Sequence, residues 1–209
     1  MEIYLSSIRA GELGEIVVIF ELRDMEKRSS SRFLISDARY AELALTVGMS
    51  DRETYDEIER EAIIYAAYKK ALHLLGFASS SKKMLKRKLL EKGYDSEVSA
   101  VALDRLEASG LLREDDFALR EAEKCLQKLW GEGRIRAYLY DKGYSREAVE
   151  SAFFAFEDQG VDFDANCAAL VKKKFSYIPT DKKEMQKNIA AIMRYGYSLS
   201  QIKRAMGDL

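Results

Sequence analysis

The stretch LLEKGYD at residues 89–95 recurs twice further along the chain, as LYDKGYS at 139–145 and as IMRYGYS at 192–198. The three copies begin 50 and 53 residues apart. A period of this length is typical of arrays that stack one supersecondary unit. In each copy a glycine suits the left-handed end of one helix, and the residue after the Tyr can cap the next. The repeat therefore predicts helices joined through Gly-Tyr turns.

Apolar positions around the Gly-Tyr pairs keep one register in all three copies. A branched aliphatic residue stands four positions before each Gly, an Ala nine after it, and a large apolar residue thirteen after it. In chain order these sets are Leu89, Leu139 and Ile192, then Ala102, Ala152 and Ala205, then Leu106, Phe156 and Leu209. We predict three three-helix repeats, at residues 51–110, 111–160 and 161–209.

Residues 1–50 form a β-rich extension ahead of the repeats. Ile16–Phe20 is a continuous β-branched and aromatic run, and Ile3–Leu5 and Phe33–Ile35 are shorter runs of the same kind. A polar turn is predicted at Lys27–Arg32. The predicted fold class is therefore mainly α, a tandem array of three three-helix repeats with a small N-terminal β-rich extension.

Capping residues mark the helix starts. Ser36-Asp37 predicts a helix at 38–46, and Ser50-Asp51 predicts a long helix reaching about Leu75. Its apolar positions at helical spacing are Ile58, Ala62, Tyr65, Ala66, Leu72 and Leu75. The remaining helices are predicted near 81–92, 95–109, 114–130, 134–142, 145–158, 162–175, 181–195 and 198–208.

The composition is that of an ordinary folded protein. Of 209 residues, 33% are charged and 47% are apolar, and a single Pro favours long helices. No apolar run approaches the roughly 18 residues of a membrane span, and no signal sequence is evident. Cys125 and Cys167 make no metal or redox spacing. We expect a cytoplasmic monomer that does not bind membranes.

No catalytic, metal-binding or cofactor-binding residue is predicted. His73 is the only histidine and falls at an apolar helical position, so we expect a packed or rim side chain. Zinc needs about four nitrogen or sulfur ligands, which one His and two distant Cys cannot supply. Gly131 and Gly133 lack the strand before them that a phosphate loop requires. The sequence therefore favours a binding protein over an enzyme.

Charge is strongly segregated along the chain. The net charge is +6 over residues 61–93, −5 over 94–133 and +4 over 161–209, although the whole chain carries −1. Such basic zones predict contact with phosphates or an acidic protein surface, whereas the simpler alternative is solvated helix faces. Trp130 is either an interface anchor or a core residue. The predicted partner-binding residues are Lys82, Lys83, Lys86, Arg87, Trp130, Arg134, Arg136, Lys172, Lys173, Lys174, Lys182, Lys183 and Lys187.

An ordered succession of motifs over residues 60–209 resembles the RecX family of regulatory proteins. The motifs are Ala71-Leu72-His73-Leu74-Leu75, Ser81, Leu85 through Tyr94, Gly110-Leu111-Leu112 with Phe117-Ala118, Arg134-Ile135-Arg136 with Leu139 and Lys142-Gly143-Tyr144, and Lys187 through Tyr197 with Ile202. Part of that family also has an N-terminal β extension.

The resemblance implies a regulator of the RecA recombinase, acting in DNA repair, recombination and the SOS response. Such proteins lie in the groove of the RecA–DNA filament and restrain ATP hydrolysis and strand exchange. The chain departs from the family at 117–130, where several Arg are usual but Glu121 and Glu123 occur here. We therefore expect this helix to contribute less than the Lys zones. The alternative partner is bare single- or double-stranded DNA, held by helix-turn-helix-like units and Lys-rich helices.

Overall fold

The computed structural model describes residues 2–12, 14–24, 27–177, 179 and 181–207. Over these residues it contains ten α-helices and one antiparallel sheet of four strands at the N-terminal end. The predicted mainly helical fold with a small N-terminal β region is confirmed.

The sheet has the strand order β3-β2-β1-β4. Its strands are β1 (Glu2–Ala10), β2 (Glu15–Arg23), β3 (Arg28–Ser36) and β4 (Gly48–Ser50). The three predicted β-type runs lie in β1, β2 and β3. No sequence feature indicated the three-residue β4. The β1–β2 register shifts between Leu5 and Ser7.

The predicted polar turn at Lys27–Arg32 is wrong. Arg28 pairs with Arg23 and Arg32 with Ile19, so this segment belongs to β3. The chain reverses just before it, where the Asp24 amide donates to the Lys27 carbonyl at 2.9 Å. Polar side chains are compatible with a strand here because β3 lies at the sheet edge and residues 28–30 are exposed.

One face of the sheet is covered by helices. Ile3, Leu5, Val18, Phe20 and Ile35 are buried on this face. They pack with side chains of the two helices that follow the sheet, α1 (Asp37–Leu43) and α2 (Arg52–Phe77). The side chains contributed by these helices include Tyr40, Leu43, Tyr55 and Ile58.

The other helices follow in the predicted order. They are α3 (Lys82–Glu91), α4 (Ser96–Ala108), α5 (Glu114–Leu126), α6 (Glu132–Asp141), α7 (Arg146–Asp158), α8 (Phe163–Lys174), α9 (Lys182–Met193) and α10 (Leu199–Gly207). Two ends differ by three or four residues from prediction. Helix α1 stops before Ala44, and α5 stops before a turn in which Leu129 is left-handed, with φ of 46° and 56° respectively.

Helix α2 buries only part of the predicted stripe: Ile58 is buried, and Ala62, Tyr65 and Leu75 are half-buried. The buried positions are Tyr55, Ile58, Glu61, Ile64, Ala67 and Ala71, while the predicted Ala66 and Leu72 are exposed. The stripe includes a carboxylate because Glu61, with only 4% of its side chain exposed, forms a bidentate ion pair with Arg105 of α4. Helical spacing alone does not reveal that a Glu takes a core position.

The three Gly-Tyr turns end helices in the same left-handed way. Gly93, Gly143 and Gly196 have φ of +90°, +79° and +92°. In the first turn the Tyr94 amide donates to the Leu89 carbonyl at 3.2 Å, which closes a Schellman motif. Each turn is followed by a new helix, as predicted.

The chain forms two compact units. One contains the residues up to Phe77 together with Leu85–Leu112, and the other contains Ala78–Met84 together with the residues from Arg113 onward. In the second unit, one core joins α5, α6 and α7 and another joins α8, α9 and α10. Equivalent repeat positions are buried in every copy: Leu89, Leu139 and Ile192, then Ala102, Ala152 and Ala205, then Leu106 and Phe156. Leu209 lies outside the described residues. The three repeat boundaries stay a prediction.

Candidate functional site

The first basic zone lies on α3. Leu85 and Leu89 are fully buried, which turns the charged positions of this helix outward. Lys83 and Arg87 are exposed, whereas Lys82 and Lys86 are half-buried. The Lys82 amide also donates to the Glu114 carboxylate at 2.9 Å. Lys83 and Arg87 are therefore the most accessible charges of this zone.

The second basic zone consists of exposed lysines at the end of α8 and on α9. Lys172, Lys173 and Lys174 occupy the last turn of α8, where the helix dipole favours cations. Lys182, Lys183 and Lys187 are exposed on α9. All six predicted lysines of this zone face solvent.

Five side chains in the second unit form an alternating series of cations and aromatic rings. Lys128 Nζ lies 5.5 Å from the Trp130 ring centre, and Arg134 Cζ lies 3.9 Å from the same centre. Arg134 Cζ is 5.3 Å from the Tyr195 ring centre, and Lys174 Nζ is 4.8 Å from it. All four distances are within the range of a cation–π interaction. We call Lys128, Trp130, Arg134, Tyr195 and Lys174 the cation–aromatic row.

The row combines predicted and unpredicted residues. Trp130, Arg134 and Lys174 come from three separate parts of the predicted set. Tyr195 was missed, and no sequence signal marks it, because lysines take the equivalent position in the other two copies. Lys128 was expected to contribute little, as part of the segment 117–130. Hydrogen bonding to Lys174 lowers the pKa of the Tyr195 hydroxyl.

Close backbone packing brings these residues together. The Gly131 amide donates to the Tyr195 carbonyl at 2.7 Å. A Cβ atom on Gly131 would lie 2.7 Å from the Gly196 carbonyl carbon, so only Gly fits at this contact. The turn before α6 thus rests directly on the turn after α9. Trp130 and Arg134 are positioned beside Tyr195 for that reason.

The repeat reproduces this junction one copy earlier. Ser81 stands 50 residues before Gly131, and its hydroxyl donates to the Lys142 carbonyl at 2.7 Å. Lys142 precedes Gly143 just as Tyr195 precedes Gly196. In both places the residue just before a helix, Ser81 before α3 or Gly131 before α6, donates a hydrogen bond. The acceptor is the carbonyl that precedes the glycine of the Gly-Tyr turn in the following copy of the repeat.

Arg136 is held by neighbours within its own unit. Its guanidinium lies 3.9 Å from the Phe153 ring centre and pairs with Glu132 at 2.7 Å and Glu150 at 2.8 Å. Burial is the largest single influence on the pKa of Arg136 and lowers it, but the hydrogen bonds and charges of Glu132 and Glu150 together raise the pKa above its ordinary value. Arg136 is therefore separated from the cation–aromatic row in its interactions, despite being two residues from Arg134.

The groups that could support chemistry are dispersed. His73 is exposed, against the expected packed or rim position, and its ring contacts Phe77 with centres 4.8 Å apart. Cys125 and Cys167 are buried free thiols, and burial raises the pKa of both, to about 11 for Cys167. Within the described ranges, no His, Cys, Asp and Glu side chains cluster as a metal site would require. Nor is any helix in those ranges both long and apolar enough to span a bilayer.

Comparison with known proteins identifies relatives of the chain. Residues 67–106 match the family model described as "RecX, first three-helix domain". The regulatory protein RecX of Xanthomonas citri is 31% identical over 137 residues, covering 65% of this chain and 83% of that protein. RecX of Clostridioides difficile strain 630 is 28% identical over 185 residues, covering 82% of this chain and 84% of its own.

Solved structures share the fold. A crystal structure of regulatory protein RecX superposes with a TM-score of 0.77 at 19% identity, covering 99% of this chain and 100% of that one. RecX from Lactobacillus salivarius gives a TM-score of 0.61 at 18% identity, covering 70% and 96%. The sequence matches and the shared fold together lead to one conclusion: this chain belongs to the RecX family of regulatory proteins.

Proposed function

We propose that this chain binds the RecA–DNA filament and restrains its ATP hydrolysis and strand exchange. Membership of a family of named regulatory proteins is the observation that carries the proposal. The chain would act by binding alone, without a cofactor, as a monomer in the cytoplasm. The three-repeat organisation, with boundaries near 110 and 160, is part of the same proposal.

Exposed basic side chains support a partner that is rich in phosphate or carboxylate groups. Lys83 on α3, Lys173 on α8 and Lys183 on α9 are all exposed. Their charges are available for long-range attraction because exposed cations steer association with anionic partners. The cation–aromatic row adds side chains of the kind that dominate binding interfaces, Trp, Tyr and Arg.

The test is a triple charge reversal, Lys83→Glu with Lys173→Glu and Lys183→Glu. Each exposed ion pair contributes only ~0.2–1 kcal/mol, so single changes should have little effect. The triple variant should inhibit RecA ATPase at least about tenfold less well, because it also introduces repulsion. Circular dichroism should be unchanged, since these side chains face solvent.

A matched control reverses three exposed cations in the acidic part of the chain. Arg113→Glu with Arg120→Glu and Lys124→Glu changes the net charge by the same amount. This control should retain most of the inhibition. If the control loses inhibition while the Lys83/Lys173/Lys183 variant keeps it, the contact with the filament lies on α5 and the assignment of the basic zones is wrong.

Direct nucleic-acid binding is the second candidate function. The cation–aromatic row favours it, because aromatic rings can stack on bases and Arg and Lys can hold phosphates. Binding to bare DNA and to RecA-coated DNA at two salt concentrations separates the two functions. A filament regulator should prefer coated DNA, whereas a DNA-binding protein should prefer bare DNA and show a steep salt dependence.

A further inference from the structure

The sheet of the first unit has a second face that the helices α1 and α2 do not cover. Side chains alternate between the two faces of a sheet. Ile3, Leu5, Val18, Phe20 and Ile35 pack with the helices, so their strand neighbours of opposite parity lie on the other side. We call this other side the outer face of the sheet.

Every arginine of the four strands lies on the outer face. Arg23 pairs directly with Arg28, and Arg32 is four residues beyond Arg28 on the same strand. Arg9 pairs with Val17 of β2, and Val17 pairs with Leu34 of β3. Leu34 has the same parity as Arg32, so Arg9 lies on the same face as Arg32. All four arginines are exposed. The first 60 residues carry a net charge of −5, so the charge tally of the sequence conceals this basic face.

Three of these arginines carry uncompensated charge within the described part of the chain. Arg23 is neutralised by Glu21 at 3.0 Å and also lies over the Tyr4 ring. Arg9, Arg28 and Arg32 make no ion pair with any described residue. The carboxylates that share the outer face are Glu21 and Glu2, together with Glu15 at the end of β2, which is bonded to Lys69 at 2.6 Å.

The spacing of the three arginines suits an extended anionic surface. Four residues along a strand separate Arg28 from Arg32 by about 13 Å, and two strand spacings place Arg9 about 10 Å to the side. Ser30 lies between Arg28 and Arg32 on the same face. Because β3 is an edge strand, some of its backbone amides do not pair with another strand. Arg, Ser and backbone amides are the groups that contact nucleic-acid phosphates.

The apolar residues of the outer face argue against a protein partner. Near the arginines, Val17 is buried and Ile19 and Leu34 are half-buried. The exposed apolar side chain of this face, Met49, lies on β4, at the sheet edge opposite to Arg28 and Arg32. The part of the face that carries the arginines therefore lacks the apolar centre typical of protein interfaces. The scarcity of aromatic residues argues against single-stranded nucleic acid as the ligand, because proteins hold single strands by stacking the bases on aromatic rings. Tyr4 is the aromatic residue of this face among the described residues, and Arg23 lies over its ring.

We propose that the outer face of the N-terminal sheet binds the phosphate backbone of duplex DNA, without sequence preference, through Arg9, Arg28 and Arg32. This site is separate from the basic zones on α3, α8 and α9, and the proposal does not depend on the action on RecA. The sheet would give the chain a hold on duplex DNA in addition to its filament contact.

The test uses the full chain and a fluorescent 30-base-pair duplex of arbitrary sequence, titrated at 50 and 200 mM salt. Arg9→Gln with Arg28→Gln and Arg32→Gln should weaken duplex binding at least about tenfold at the lower salt. The slope of log affinity against log salt should fall by about 0.9 for each lost phosphate contact, or about 2.7 in total. The matched control, Arg52→Gln with Arg60→Gln and Arg113→Gln, removes the same charge elsewhere and should bind like the parent.

Three outcomes would overturn the proposal. They are no duplex binding by the parent chain, equal loss in the Arg9/Arg28/Arg32 variant and the control, and a loss of single-strand binding in the Arg9/Arg28/Arg32 variant that is as large as its loss of duplex binding. Inhibition of RecA ATPase by the same variants separates the two proposals. The sheet variant should keep its inhibition, whereas the Lys83/Lys173/Lys183 variant should keep the arginine-dependent part of duplex binding.

Discussion

Replacing the glycine of one Gly-Tyr turn by alanine should reveal how much stability the junction between repeats contributes. Gly196 has φ of +92°, and a Cβ atom there would lie 2.5 Å from the Arg134 Cβ and against the Arg134 backbone nitrogen. Gly160 lies in the same unit with φ of +70°, and nothing lies within 4 Å of its Cβ position. Gly160→Ala therefore reports the backbone cost alone, and Gly196→Ala reports that cost plus the junction.

The expected magnitudes follow from these surroundings. A left-handed alanine costs about 1–2 kcal/mol, so Gly160→Ala and Gly93→Ala should each destabilise the chain by that amount. At Gly196 the new methyl group meets backbone that cannot move without separating the two turns. That movement breaks the 2.7 Å bond from the Gly131 amide to the Tyr195 carbonyl and opens the packing around it. We expect Gly196→Ala to lower the free energy of unfolding by about 4 kcal/mol or more, a loss typical of substitutions that disrupt a packed site.

Urea unfolding measures the difference. Far-UV circular dichroism follows all helices, and Trp130 is the single tryptophan and lies next to the junction. Gly196→Ala should lower the midpoint seen by Trp130 fluorescence much more than Gly160→Ala does. Equal midpoints for these two variants would refute the reasoning, because they would show that the contact between the turns carries no stability.

Two further predictions concern ionisable groups, buried Glu61 and half-buried Tyr138. Glu61→Gln removes the charge that pairs with Arg105 and lies 3.5 Å from the Arg39 guanidinium. Urea unfolding should show that the free energy of unfolding falls by about 2–3 kcal/mol, which is toward the lower end for a broken buried pair because Arg105 is partly exposed. An unchanged midpoint would contradict the role of the pair. Burial, with a contribution from Glu121, raises the pKa of the Tyr138 hydroxyl to about 12. Between about pH 10 and 12 the unfolded chain therefore loses this proton more readily than the folded chain does, so the free energy of unfolding should fall as the pH rises through this range. Tyr138→Phe should flatten this part of a stability–pH profile, and a profile identical to the parent's would count against it.

Local chemistry explains why the helices and their turns could be predicted. A glycine before a Tyr can adopt φ near +90° wherever it occurs, and the side chains of Asp95 and Ser145 accept bonds from amides three residues later. Both effects act within five residues, so they can be inferred from spacing. The predicted stripe of α2 is wrong at Ala66 and Leu72, because neighbouring elements decide which face of a helix is buried. Glu61 is buried there only because Arg105, 44 residues away, neutralises it.

The sequence by itself determined the repeat, the Gly-Tyr turns, the helix order and the lysine zones, since each depends on residues close together in the chain. Only the tertiary structure decided which charges act together. Tyr195 meets Arg134 because Gly131 and Gly196 allow two backbones to touch. The arginines of the sheet share one face because strand pairing sets their parity. Contacts of this kind join residues distant in sequence, and no local pattern encodes which of them become neighbours.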